Sequence, residues 1–231
     1  MEFHYHVEQL VFLVRPGTTD IRIIDEVITN DAYKAIGQIE PGDVVIDVGA
    51  HIGSFAIYAA SLGAKVIAFE PATVNFDLLL RNIELNGYDK DHQDEPHLRG
   101  AGRFPRYSIK TQKAGIMAFG GEQTLYIRQG NFGGCSFYAK GILSEAVETI
   151  PLGWIFDDLE TPRCDFLKID CEGAEYDIWE GFPYFDRVKR IALEYHRDPV
   201  RQEIMQLLEG KGYEVTFLGN ERMGHIYAES I

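Results

Sequence analysis

Five residues stand at or near the ends of short apolar runs. Asp47 sits in Val44-Val45-Ile46-Asp47-Val48, and Glu70 follows Lys65-Val66-Ile67-Ala68-Phe69. Asp170 follows Cys164-Asp165-Phe166-Leu167-Lys168-Ile169, and Glu194 and His196 close Ile191-Ala192-Leu193-Glu194-Tyr195-His196. Carboxylates brought together repel one another, so stability alone does not explain such a set. A ligand would explain it: a cationic centre, a row of hydroxyl donors or a divalent metal each draws carboxylates to one place. His196 is a candidate general base, because imidazole titrates nearest neutrality. Asp170 is the alternative base, or a cap on a following helix. Asp170 with Glu194 would also make a hard oxygen site of the kind that takes Mg²⁺.

The apolar runs read as strands. Val44, Val45, Ile46 and Val48 are β-branched and apolar, which suits the centre of a parallel sheet buried on both faces. Gly49-Ala50-His51-Ile52-Gly53 is then a glycine-bearing turn, and Ser54 to Leu62 a helix closed by Gly63. Strand, turn and helix in that order place free helix N–H groups above the strand's C-terminal end, where open α/β sheets bind ligands. The spacing Asp47-x-Gly49-x-x-x-Gly53 lacks the G-x-G-x-x-G of dinucleotide sites, and no phosphate-cradling G-x-x-x-x-G-K-[ST] occurs. Glu70 at the end of the second strand is placed to accept hydrogen bonds from a ribose diol. The pattern therefore favours a ribose-bearing cofactor without a diphosphate loop.

Three ordered segments, VIDVGAHIGSFAIYAA, GAKVIAFEPATVNFDLLLRNIELNG and CDFLKIDCEGAEYDIWEGF followed by IALEYH, resemble the FkbM-like family of S-adenosylmethionine-dependent methyltransferases. The resemblance runs from about Asp43 to His196, with a poor match around residues 88–108. It implies an α/β, Rossmann-like class I methyltransferase fold: a mostly parallel central sheet, an antiparallel C-terminal strand and helices on both faces. It implies a cofactor site at Asp47, Gly49, Ala50, His51, Gly53, Glu70, Pro71, Asn75, Ala114 and Asp170, with Ala114 beside the adenine. Gln129-Gly130-Asn131-Phe132-Gly133-Gly134-Cys135-Ser136 matches an N-x-G-x-x-S element of the family, which implies that Asn131, Gly133 and Ser136 lie beside the active pocket. A plain β-turn is the other reading of that segment. One departure is His51, where the family more often has Asn in G-A-N-x-G; an imidazole is bulkier and can titrate.

The remaining chain surrounds this frame. Residues 3–14 read as a strand and turn, with a second short strand into Ile21 and a helix from Ile23 to Tyr33. The segment 1–40 reads as an N-terminal extension; the resemblance implies that it lies across the substrate opening, as in many methyltransferases, and a plain edge hairpin is the other reading. Thr73 to Leu85 is a helix, with Phe76, Leu79, Leu80 and Ile83 at helical spacing. Residues 88–107 are polar and broken by Gly100, Gly102 and Pro105, which predicts an exposed loop. His92 and His97 with Asp91, Asp94 and Glu95 are metal-ligand types there, but nothing in their spacing fixes a geometry. Strands are expected at Ile109–Ala114, Ile116–Phe119 and Thr124–Arg128, and a short helix at Ile155–Leu159. Glu172 and Glu175 are expected in the first turn of a helix after Asp170, where negative charge is favourable. Trp179 and Phe182 read as packing residues. An amphipathic helix through Ile204, Leu207 and Leu208 precedes closing strands at 212–218 and 225–228.

The chain has 231 residues and a formal net charge of −14. That size suits one domain over 1–231, and that charge opposes binding to nucleic-acid phosphate or anionic lipid. Cys135, Cys164 and Cys171 lack metal-like pairing and read as reduced thiols of a cytoplasmic protein. Neither a signal peptide nor an apolar span long enough to cross a bilayer is visible. The leading functional reading is O-methylation of a hydroxyl on a small metabolite such as a sugar or natural product. N-methylation of a small molecule, a nicotinamide-dependent oxidoreductase and an inactive methyltransferase-like binding module are the alternatives. A homodimer is compatible with a chain of this kind.

Overall fold

The computed structural model describes residues 2–92, 108–128, 130–138, 140–141, 143–157, 161–196 and 198–231; of 89–92, 108 and 198 it describes the backbone. The chain opens with a hairpin, β1 (Phe3–Val7) and β2 (Leu10–Val14), whose turn falls at Glu8-Gln9. The stretch toward Ile21 is helical and not extended: α1 (Asp20–Ile24) runs into a wide turn at Asp25–Thr29. Local polar bonds set this start. The Asp20 carboxylate accepts the backbone N–H and the guanidinium of Arg15, and Thr18 Oγ1 donates to the Arg15 carbonyl.

Then come β3 (Val44–Val48), α2 (Ser54–Ser61), β4 (Lys65–Phe69), α3 (Thr73–Leu85), β5 (Asp89–His92) and β6 (Ser108–Gln112). The start of the expected polar loop is therefore an edge strand, parallel to β6. Residues 93–107, with His97, Asp94 and Glu95, lie outside the described residues. β7 (Gly115–Met117), β8 (Gly121–Ile127) and β9 (Leu143–Pro151) form a separate three-stranded sheet. The expected strand 109–114 is thus broken, because the chain leaves the main sheet after Gln112. After α4 (Trp154–Asp157) come β10 (Phe166–Ile169), β11 (Arg190–Tyr195), α5 (Asp198–Gly210), β12 (Tyr213–Gly219) and β13 (Gly224–Ser230).

The main sheet has the order β12-β13-β11-β10-β3-β4-β6-β5. Strands β5, β6, β4, β3, β10 and β11 are parallel, and β13 and β12 are antiparallel. From β3 the chain first winds outward through β4 and β6, then returns to lay β10 on the other side of β3. That reversal opens a crevice between the ends of β3 and β10, the place where such sheets bind ligands. One apolar layer joins α2 and α3 to the sheet and to the N-terminal hairpin. The other lies on the opposite face with Trp179, Phe182 and Phe185 among α4, α5 and the strands.

No long helix follows β10. Glu172 and Gly173 both take positive φ, and the segment forms only a short turn at Asp177–Trp179 before Gly181-Phe182-Pro183. Glu172 and Glu175 are therefore loop residues and not a helical first turn.

Candidate functional site

The turn after β3 is built by close approach. Gly49 has φ +79°, and a Cβ on it would fall on the carbonyl oxygen of Asp170. Only glycine lets the ends of β3 and β10 come this near. The N–H groups of Gly49 and Ala50 both donate to the Phe69 carbonyl at the end of β4. Beneath the turn, the register sets Lys168 of β10 beside Asp47 of β3. Lys168 Nζ lies 3.1 Å from Asp47 Oδ1 and donates to the carbonyl of Gly49 at 2.7 Å. Burial works against that ammonium, but Asp47 and Asp170 outweigh it and its pKa lies above the ordinary value. Asp47 is fully buried, and its ion pair holds Lys168 where it reaches the turn's Gly49 carbonyl.

Above the turn lies a cavity of about 330 Å³. Gly49, His51, Glu70, Pro71, Asn75 and Ala114 line one part of it. Asp47, Ala50 and Gly53 lie behind that wall; a Cβ on Gly53 would press on Leu79 of α3. The Glu70 carboxylate accepts the backbone N–H groups of His51 and Ala72, at 2.8 and 2.9 Å, and the Asn75 amide. Burial pushes its pKa up to about 7 against those bonds. His51 Nε2 stands 3.1 Å from an Arg15 guanidinium nitrogen. A guanidinium only donates, so Nε2 accepts and the ring proton is assigned to Nδ1. Burial holds this ring neutral, with a pKa of about 4.

The other part of the cavity is acidic and is lined by Asp170, Glu172, Glu194 and His196. Tyr33, from the N-terminal region, donates its hydroxyl to Asp170 Oδ2 at 3.0 Å. His196 Nδ1 lies 2.9 Å from Oε1 of the buried Glu175, and its Nε2 lies 3.4 Å from Glu172 and 3.8 Å from Glu194. Burial disfavours charge on the imidazole, yet Glu175, Glu172 and Asp170 raise its pKa to about 10. The cluster favours positive charge at the ring, carried by its own proton or by a cation bound in the proton's place, and a proton held this way runs against the general-base reading of His196. Burial and the neighbouring Asp170 raise Glu194 to about 9 and Glu172 to about 7.

The glycine-rich insert supplies a third wall. Asn131 and Gly133 line the cavity, and the Asn131 side-chain amide oxygen accepts the Thr19 hydroxyl. Ser136 is not on the lining; its hydroxyl donates to the Glu172 carbonyl, tying the insert to the acidic loop. The N-terminal region contributes Arg22, Ile23, Glu26, Val27 and Tyr33 to the lining.

Sequence reasoning passed over Arg15, Tyr33 and Lys168, and misjudged Glu172 and Glu175. Lys168 carried a signal, a cation in the middle of an apolar strand. Arg15 and Tyr33 carried none, since only the tertiary fold brings the N-terminal region over the sheet edge. Cys135, Cys164 and Cys171 are free thiols. Among the described residues no helix is long and apolar enough to cross a membrane.

Comparison with known proteins agrees with this geometry. The chain is 29% identical over 216 residues to "Methyltransferase sdnD" of Sordaria araneosa, covering 84% of this chain and 82% of that protein. It is 28% identical over 210 residues to "31-O-demethyl-FK506 methyltransferase FkbM" of Streptomyces tacrolimicus, covering 83% and 80%. The fold is similar to that of SMU.1697c from Streptococcus mutans, solved in complex with SAH, with TM-score 0.51, 9% identity and coverage of 88% and 97%. Residues 47–215 match the family model described as "Methyltransferase FkbM domain". The chain therefore belongs to the FkbM methyltransferase family and is an S-adenosylmethionine-dependent methyltransferase.

Proposed function

We propose that this enzyme methylates a hydroxyl group of a small metabolite, of the sugar or natural-product kind. One observation carries the reading: a single cavity joins the Glu70 and glycine-turn cradle to the cluster of Asp170, Glu172, Glu194 and His196. The cradle suits a ribose, with Glu70 accepting from its diol and the turn's backbone following the amino-acid part. Asn75 orients Glu70, and Pro71 and Ala114 leave a flat, apolar place for the base. The acidic end then faces the cofactor's sulfonium and the acceptor.

Methyl transfer asks the protein chiefly to align two reactants and exclude water. The C–O bond forms as the C–S bond breaks, and the electron pair stays on sulfur. The acceptor's hydroxyl proton passes to a carboxylate of the acidic wall. A relative whose name places its methylation on an oxygen supports an oxygen acceptor here. The net charge of −14 and the acidic wall support a small, non-phosphate substrate.

Calorimetric titration with S-adenosylhomocysteine tests the cradle. Saturable binding that weakens on Glu70→Ala is expected, with no comparable binding of NADH. Transfer of labelled methyl from S-adenosylmethionine to hydroxylated acceptors, yielding methyl ethers, is expected next. A well-folded sample that binds no S-adenosylhomocysteine would overturn the cofactor assignment, and methylated amines as the sole products would overturn the oxygen acceptor.

A further inference from the structure

The acidic end holds more than a proton acceptor needs. Asp170 follows β10, Glu172 stands two residues on, and His196 closes β11. One ligand atom from each lies within 4.8 Å of the other two. Donors about 2.0–2.2 Å from one ion stand at most about 4.4 Å apart, so a small closure would bring all three onto a common centre. A fourth residue outside the triad fixes the ring. Glu175, only 1% exposed in its side chain, faces His196 Nδ1 at 2.9 Å and also accepts the Gly173 N–H. A buried carboxylate on the far nitrogen is the usual support of a metal-binding histidine, and here it leaves Nε2 facing Glu172. The triad also lines the cavity above the turn and is partly buried. The nearby buried cations are committed elsewhere, Lys168 to Asp47 and the Gly49 carbonyl, Arg15 to Asp20.

We propose that Asp170, Glu172 and His196 bind a first-row divalent cation, with Mn²⁺ as the probe ion, at the acceptor end of the cavity. The ligand set differs from the all-oxygen pair Asp170 and Glu194 expected for Mg²⁺. Glu172 enters through the loop that replaces the expected helix, and an imidazole nitrogen joins two carboxylates. Such a set suits Mn²⁺ better than Mg²⁺, which keeps oxygen ligands and water. The use of the ion rests on the proposed methyl transfer: it would ligate the acceptor oxygen and make its hydroxyl more acidic. Binding of the ion does not depend on that reading.

The test is loss of the free Mn²⁺ electron paramagnetic resonance signal on titration into the chelator-treated full chain. S-Adenosylhomocysteine calorimetry on the same samples reports the cofactor site and the fold. One Mn²⁺ per chain is expected, not displaced by an equal concentration of Mg²⁺. Glu172→Ala and His196→Ala should each weaken Mn²⁺ about tenfold or more, and Glu175→Gln about 10–100-fold, with S-adenosylhomocysteine still bound. If His196→Ala fails to fold, His196→Gln takes its place. A signal that persists in a sample binding S-adenosylhomocysteine would overturn the metal site alone. Mn²⁺ binding unchanged in both the Glu172 and His196 variants, or displaced equally by Mg²⁺, would overturn this ligand set. Failure to bind S-adenosylhomocysteine would count against the cofactor site instead.

Discussion

At the scale of single residues, burial decides what each acid does. Asp47 and Glu70 read alike in sequence, as carboxylates at the ends of neighbouring strands. Register separates them: Asp47 falls beside Lys168 beneath the turn, and Glu70 reaches the cavity. Glu70 accepts three protein donors and is still raised to about 7 by burial, above the ordinary value of 4.5. A raised carboxyl pKa means that the folded state holds the proton more tightly. Its contribution to stability is present below about 4.5 and lost as pH rises through about 7. A ribose diol donates to the carboxylate and favours the ionised form. S-Adenosylhomocysteine affinity should therefore fall as pH drops below about 7, and binding there should release a proton. Titrations in buffers of different ionisation enthalpy measure that release. In Glu70→Gln the affinity should be weaker, and this part of its pH dependence should vanish; a dependence unchanged in the variant would remove Glu70 from the ribose site.

At the scale of elements, the parallel sheet was legible because its strands are apolar runs bounded by glycine, proline and polar residues. β3, β4, β10 and β11 appear where periodicity places them. β9 was missed because Leu143-Ser144-Glu145-Ala146-Val147-Glu148-Thr149 alternates weakly between apolar and polar residues. The helix expected after β10 failed where positive φ at Glu172 and Gly173 stops helical propagation, and that failure brings Glu172 to the site. The hairpin shows a contact no pattern predicts. Asn82 near the end of α3 and Asn86 just past it, one turn apart, pair with the backbone of β2 much as another strand would. Asn86 takes the N–H and carbonyl of Val11, and Asn82 takes those of Leu13 along with the carbonyl of Ile52. Asn82→Ala strands three groups, the Leu13 N–H and the carbonyls of Leu13 and Ile52. Each stranded group costs about 1–3 kcal/mol, so urea unfolding should show a loss of at least about 3 kcal/mol. Asn82→Asp keeps the acceptor for the Leu13 N–H but turns a buried carboxylate toward the Leu13 and Ile52 carbonyls, so it should lose at least as much as the alanine variant.

At the scale of the molecule, four distant stretches meet at Arg15, and no pattern of residue types or spacing points to that meeting. The guanidinium forks onto Asp20, which is fully buried, and donates to Asn75 on α3. It also meets His51 in the glycine turn and lies 4.3 Å from the ring centre of Phe132 in the insert. One side chain thus fixes the N-terminal region, the cofactor turn, the residue that orients Glu70 and the glycine-rich wall. Arg15→Met removes all of these bonds and leaves Asp20 as a buried, unpaired charge, a loss of about 3–5 kcal/mol. Arg15→Lys separates charge from geometry, because an ammonium neutralises Asp20 but lacks the planar fork. The lysine variant should recover most of the stability in urea unfolding, yet bind S-adenosylhomocysteine more weakly than the parent. The reason is positional: His51 and Asn75 lose their fixed donor even though Asp20 keeps a cation. Full recovery of both stability and affinity would mean that Arg15 acts by charge alone, and that the N-terminal region covers the cavity without setting the shape of its cofactor end.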